Sequence, residues 1–252
     1  MDSSIADVID IYGRYFEIVP ANTAELRERA YRLRYQVYCV EHAFLDPAAN
    51  PGERETDAFD AHSVHSLLIH RASGAACGTV RLILPDPAHP KASFPVYGLG
   101  PAAAAMKRRL PRLRTAELSR FAVTKEFRRR AGETVYADVG EAGARPASLP
   151  ERRALPHITF GLMRAVLLMS LEHNISHLCA VMEPALLRLM ARFGLRFEPA
   201  GELVDYHGLR QPCFAALEDL VAGIRTARED MWMAGTEGGR LIPASSRLRQ
   251  AG

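Results

Sequence analysis

Four groups of residues in this 252-residue chain are of types that do chemistry: Arg34, the run Glu55-Thr56-Asp57-Ala58-Phe59-Asp60, Arg81, and Glu117-Leu118-Ser119-Arg120-Phe121. Carboxylates can take a proton and arginines can hold an anion, so the series suits a polar site. Arg81 lies within the apolar run Gly78-Thr79-Val80-Arg81-Leu82-Ile83-Leu84. A buried charge without a partner is costly there, which predicts a carboxylate beside it, with Asp57 and Asp60 as the candidates. Glu117 and Ser119 alternate with Leu118 and so share one face of a strand. Taken singly, each group reads as an ion pair tying a loop to a sheet.

The elements that must position these groups follow from pattern. Tyr15 to Val19 reads as a strand, closed by Pro20. Asn22, with Glu25 three residues on, reads as the cap of a helix whose buried face is Leu26, Ala30, Leu33, Val37 and Val40, ending near Glu41. His65 to Arg71 and Ala76 to Leu84 form a hairpin about Ala72-Ser73-Gly74-Ala75. His62 and His65 read as residues at the edge of a loop. Residues 85–114 are an irregular excursion with a helical turn or two at Ala102 to Arg109, and Glu117 to Val123 is a strand. After an insert at 132–156, Ile158 to Glu172 is a buried helix, His177 to Met182 a strand, and Pro184 to Gly194 a helix with Pro first and Gly as its stop. Leu195 to Val204 and Pro212 to Leu217 read as closing strands around His207-Gly208, and 235–252 as a polar tail. The expected fold is a single α/β domain over 1–234, with a mixed sheet and helices on both faces.

Composition narrows the function. At 48% apolar and 24% charged residues the chain is an ordinary globular protein. The most apolar segment, Leu162 to Leu171, falls short of the roughly 20 residues that cross a bilayer, and no basic-then-apolar leader is visible, so a cytoplasmic protein is expected. Cys39, Cys77, Cys179 and Cys213 form no CxxC pair and sit among apolar neighbours, which points to reduced core thiols. His173 and His177 stand four apart, but no glutamate fits a zinc-protease pattern and a helix end is due between them; no metal is expected. Ten basic and two acidic residues between Lys107 and Arg130 give that segment +8 against +3 for the whole chain, leaving −5 elsewhere. Such a stretch draws an anionic partner. It lacks the interleaved aromatics of a single-strand binder, so nucleic acid is not expected.

Arg34-Tyr35-Gln36-Val37-Tyr38, Glu55-x-Asp57-x-x-Asp60, Gly78-x-x-Arg81-Leu82 and Glu117-x-Ser119-Arg120-Phe121 occur in an order and spacing that resembles the acyl-homoserine-lactone (autoinducer) synthases. It also resembles the long-chain N-acyl amino acid synthases and, in length and inserts, the bacterial PEP-CTERM/exosortase-associated acyltransferases, all of the GNAT superfamily. The resemblance covers about residues 15–217. It implies a GNAT-like, mostly antiparallel sheet with a splayed central strand pair, and transfer of a fatty acyl group from a carrier-protein thioester to a small amine. Glu117, with Ser119 and Arg120, matches the catalytic strand. Arg34, Tyr38, Phe44, Asp57, Asp60 and Arg81 match the acceptor-site network. Phe121, Ala122, Val123, Met163 and Val166 fall to the acyl and phosphopantetheine arm, and Lys125, Arg128, Arg129 and Arg130 to carrier-protein docking.

The chemistry agrees with these types. Amine attack on a thioester needs a neutral amine, so a carboxylate, here Glu117, takes the ammonium proton directly or through water. Backbone N–H groups of a splayed strand can hold the oxyanion. No tightly bound cofactor is implied; the acyl carrier protein brings its own phosphopantetheine. Arg129-Arg130-Ala131-Gly132-Glu133-Thr134 keeps only part of the coenzyme A pyrophosphate pattern, which favours acyl carrier protein over acyl-CoA as donor. Phe44 stands where the lactone synthases carry tryptophan and Tyr38 where they carry phenylalanine, which favours another small amine over lactone formation. The competing readings are a lactone synthase making a signal, and a non-catalytic binder of nucleic acid or anionic lipid through 107–130. Contact with a membrane is expected only at its surface, through a lipid product.

Overall fold

The computed structural model describes residues 13–89, 94–128 and 158–242. Its strands are β1 Phe16–Pro20, β2 Ser63–His70, β3 Ala76–Ile83, β4 Thr115–Val123, β5 His177–Met182, β6 Glu198–Pro199, β7 Val204–Asp205 and β8 Leu209–Ala216. The helices are α1 Ala24–Tyr35, α2 Pro101–Arg109, α3 Lys125–Arg128, α4 Ile158–Glu172, α5 Pro184–Arg192, α6 Leu217–Ala227 and α7 Glu229–Thr236. The eight strands run in the order β1-β2-β3-β4-β5-β8-β6, with β7 paired to β8. β4 and β5 are parallel, whereas β1–β2, β5–β8, β6–β8 and β7–β8 are antiparallel. This is the expected mixed, mostly antiparallel α/β sheet. The described residues divide into two compact units, one drawn from 10–81 and 120–165, the other from 82–119 and 166–252.

In the unit of Asp10–Arg81 and Arg120–Ala165, α1 begins one residue later than expected. Thr23 is the cap, its hydroxyl oxygen accepting the Leu26 N–H at 3.2 Å. Ala30, Leu33 and Val37 then pack with Leu67 and Ile69 of β2 and Ala122 of β4. The helix does not continue regularly to Glu41. From Gln36 it widens to a π-helix, with the His42 N–H reaching back five residues to the Val37 carbonyl. The widened turn rotates the apolar stripe, so Val40, expected on the buried face, is 55% exposed. The β2–β3 turn carries Gly74 at φ +68°. Gly78 brings β3 close to its neighbours: a Cβ there would meet the Ala122 carbonyl and a Leu162 methyl at 3.1 Å.

In the other unit, Val96, Ala103, Met106, Leu110, Cys179 and Phe214 form a core cluster. Where a turn or two was expected, α2 is a nine-residue helix behind Pro101. The closing strands differ from expectation. Leu195 to Val204 pairs only at the two-residue β6 and β7, and β8 starts at Leu209. The turn at His207-Gly208 is as expected, both residues having positive φ. Sequence periodicity left 218–234 unassigned, and the chain there makes α6 and α7. Gly235 and Thr236, expected to open a tail, lie buried in α7, and Ile242 beyond it is buried too. No helix among the described residues is long and apolar enough to cross a membrane.

Candidate functional site

The loop from Glu55 to His62 folds around its own acids. Asp57 caps the 3-10 turn Ala58–His62, its Oδ1 accepting the Phe59 N–H at 2.9 Å, while Asp60 Oδ2 accepts the Asp57 N–H at 2.8 Å. This reciprocal cap sets the two carboxyl groups side by side. Three arginines converge on them and on Glu55. Arg34 of α1 donates from Nε to Glu55 and grips Asp60 with both terminal nitrogens, at 2.7 and 3.1 Å. Arg81 of β3 donates through one nitrogen to Asp57 and Asp60, both at 2.7 Å. Arg120 of β4 forks onto Glu55 at 2.8–3.1 Å and reaches Asp57 Oδ2 at 3.0 Å. Three positive and three negative charges therefore interlock, which is how so many ions are tolerated under cover. Both carboxylates expected beside Arg81 are there.

Within this network Arg34, Glu55 and Arg81 are buried and the Asp60 side chain is 8% exposed, so Asp57 and Arg120 are the members open to solvent, with side chains 26% and 22% exposed. Burial raises the Asp60 pKa, but the hydrogen bonds and charge of Arg34, with Arg81, more than reverse it and hold the carboxyl well below the usual range. Glu55 is lowered in the same way, burial opposing and Arg120 and Arg34 prevailing. Arg120 has φ +50°, left-handed backbone inside a strand, which costs of order 1–3 kcal/mol. Its guanidinium lies 5.8 Å from the centre of the Tyr38 ring, and burial pushes the Tyr38 hydroxyl pKa upward. Phe44 is partly exposed and stacks on His42.

Two residues of this region take roles here that their sequence context did not assign them. Glu55 is the carboxylate shared by Arg34 and Arg120; counting three arginines against Asp57 and Asp60 alone leaves one charge short, and that shortfall is the signal for it. His65 is corrected from loop edge to core. It is 3% exposed on β2, its Nε2 lies 3.7 Å from Asp60 Oδ1, and neither ring nitrogen has a hydrogen-bond partner among the described residues. Tyr31 meets it edge-on at 5.6 Å. Burial, then the charge of Arg34, pushes its pKa down to about 4, so it sits neutral.

Glu117 belongs to the other unit. It is 3% exposed, and its Oε2 accepts the backbone N–H of Val96 at 2.8 Å from the turn Pro95–Gly98. Its charge adds to burial in raising the Cys179 thiol pKa. Glu117 pairs with Cys179 across the β4–β5 ladder, which ends at Leu118–Ala180 although β4 runs to Val123 and β5 to Met182. Ser119, Phe121 and Val123 are half-buried, and Ala122, Met163 and Val166 are buried. Lys125 is exposed, its N–H donating to Glu41 at 2.8 Å. Arg128 closes α3, while Arg129, Arg130, the partial pyrophosphate pattern and the 132–156 insert lie outside the described residues. The four cysteines are free and buried. His173 follows α4 whereas His177 opens β5, so the pair shares no helix face.

Residues 33–137 match the family described as acetyltransferase (GNAT) domain. No curated protein matches the sequence. Among solved structures, the acyl-homoserine-lactone synthase LasI is 20% identical, with a TM-score of 0.55 over 84% of this chain and 98% of its own. BjaI, a CoA-dependent acyl-homoserine-lactone synthase solved with SAM and isopentyl-CoA, is 17% identical, with a TM-score of 0.54 over 94% and 98%. FeeM, an N-acyl amino acid synthase from uncultured soil microbes, is 16% identical, with a TM-score of 0.51 over 85% and 97%. The chain has their fold.

Proposed function

Because this chain has the GNAT acyltransferase fold, with that family's sequence pattern over residues 33–137, we propose that it is an N-acyltransferase moving a long-chain acyl group from acyl carrier protein to a small amine, foremost an amino acid. The observation that carries the reading is the balanced ion network in which Asp57 and Arg120 are the members open to solvent. An amino acid is a zwitterion. Its ammonium group suits Asp57 and its carboxylate suits Arg120, and the hydrogen bonds to the rest of the network hold both side chains in place before the acceptor arrives.

Glu117 is the proton acceptor in this reading. Its buried carboxylate has one oxygen held by the Val96 N–H, which fixes its direction, and the bound amine must lose a proton before it attacks the thioester carbon. The nitrogen–carbon bond forms, the carbonyl oxygen carries the negative charge briefly, and the carbon–sulfur bond then breaks as the nitrogen gives up its second proton, which passes to the sulfur and releases phosphopantetheine as its thiol. The partial pyrophosphate pattern and the basic residues Lys125 and Arg128–130 support a carrier protein as donor. BjaI, with the same fold, is a CoA-dependent synthase, so both donors belong in the assay.

The test is purified protein with palmitoyl-loaded carrier or palmitoyl-CoA, an amino-acid pool, and mass detection of new amides. A new amide with the carrier is the expected result; none with either donor overturns the reading. Product from S-adenosylmethionine alone, as an acyl lactone, replaces it with signal synthesis. Glu117→Gln keeps an oxygen for the Val96 N–H and should fold normally while losing about 10²–10⁴ in kcat; near-normal turnover removes Glu117 from the mechanism.

A further inference from the structure

Neither the ion network nor Glu117 uses the most basic surface segment of the described chain. Residues 101–116 hold Lys107, Arg108, Arg109, Arg112 and Arg114 and no acid. Two tight turns in succession display them. The Leu110 N–H closes α2 on the Met106 carbonyl at 3.0 Å, and the Arg114 N–H closes the 3-10 turn Arg112–Arg114 on the Pro111 carbonyl at 3.1 Å. Met106 and Leu110 are anchored in the core, so the turns are held rigidly from below. Above them Arg108, Arg109, Arg112, Leu113 and Arg114 are exposed.

Part of this charge has local work. Lys107, Arg108 and Arg109 complement the negative end of the α2 dipole. Arg109 also lies 3.6 Å from Glu198 and over the Phe214 ring, and Arg114 donates to the Asn174 carbonyl at 3.4 Å. That leaves Arg108 and Arg112, which pair with no carboxylate among the described residues, and Leu113, which is 58% exposed between two arginines. A helix dipole explains neither a cation three residues past the helix end nor a leucine held in water.

We propose that Arg108, Arg112 and Leu113 form a docking point for an anionic lipid surface. The guanidinium groups meet phosphate headgroups, and the leucine dips into the acyl layer beneath them. A lone apolar side chain ringed by cations fits headgroups over hydrocarbon. An acidic helix of a protein partner would need further apolar side chains to meet, and Leu113 is the only large exposed hydrophobic in 101–116. Nucleic acid would leave the leucine without a role. The docking needs no acyl transfer, so it stands or falls separately from the proposed reaction.

The test is co-sedimentation of the full chain with vesicles of phosphatidylcholine alone or mixed with phosphatidylserine. Binding to the mixed vesicles is expected, weakened at least about thirtyfold by R108E/R112E, since the two lost basic groups are worth about 1 kcal/mol each near such a surface and the glutamates add repulsion. Leu113→Ser should weaken binding that survives at high salt. Leu113→Trp should shift its emission to the blue on mixed vesicles, against a constant background from the buried Trp232. Equal binding to both vesicle types, or indifference to R108E/R112E in a protein with unchanged circular dichroism, overturns the proposal. So does tighter binding to duplex DNA or to an acidic carrier protein than to mixed vesicles.

Discussion

Glu55 and Asp57 are two residues apart and belong to one network, yet their substitution should read out differently. Glu55→Gln removes the buried carboxylate that Arg34 and Arg120 share, leaving Arg34 only Asp60 and Arg120 only Asp57 and the six charges out of balance under cover, and is expected to cost about 3–5 kcal/mol in a urea melt. Asp57→Asn keeps an oxygen for the Phe59 N–H and removes a charge that water can partly replace. It should cost about 1 kcal/mol and abolish most acceptor turnover. Equal losses from the two would mean that burial does not rank them. His65 sets the pH response. Its folded pKa of about 4 lies below the ordinary 6.5, so the unfolded chain binds the extra proton and stability falls as pH drops from about 6.5 to about 4. The full loss is roughly 3 kcal/mol, and His65→Phe should flatten the curve in that window. Asp60 and Glu55, held low by their arginines, lose their contribution only further down, as pH falls through their own depressed values. The groups around His65 are Arg34, Arg81 and Arg27, which oppose its charging, and Asp60, which favours it.

Among the elements, α4 and β5 were legible to the residue, because a mostly apolar run of helical length, and a short one stopped by Pro184, leave few alternatives. The π-helical turn was not. Val40 continues the apolar spacing of α1, and nothing local to 36–41 reveals that the hydrogen bonds lengthen by one residue. The short β6 and β7 were overcounted because apolar residues near a sheet edge look like strand whether or not a partner is present. At the site, the cost of burying Arg81 revealed Asp57 and Asp60, whereas Glu55 and His65 take their meaning from residues far along the chain. One contact between elements gives a sharp test. Gly223 of α6 lies against Gly194 after α5, and a Cβ on Gly223 would stand 2.2 Å from the Gly194 carbonyl oxygen. Gly223→Ala is expected to lower stability by about 2–3 kcal/mol, seen as a lower thermal midpoint.

For the whole chain, β3, β4 and α4 each pass from one compact unit into the other without a linker. Neither unit can lose those elements alone, so calorimetry is expected to show one transition with equal calorimetric and van't Hoff enthalpies; two resolved peaks would contradict this. The balanced charges beside Arg34 have a consequence for how such a protein can change. A neutral replacement at buried Arg34, Glu55 or Arg81 leaves an opposite charge short of a partner, so libraries that vary one position at a time would report these positions as immutable. Variants with altered substrate preference should surface only when an acid and a base are exchanged together, which makes paired mutagenesis the practical route to redesigning it.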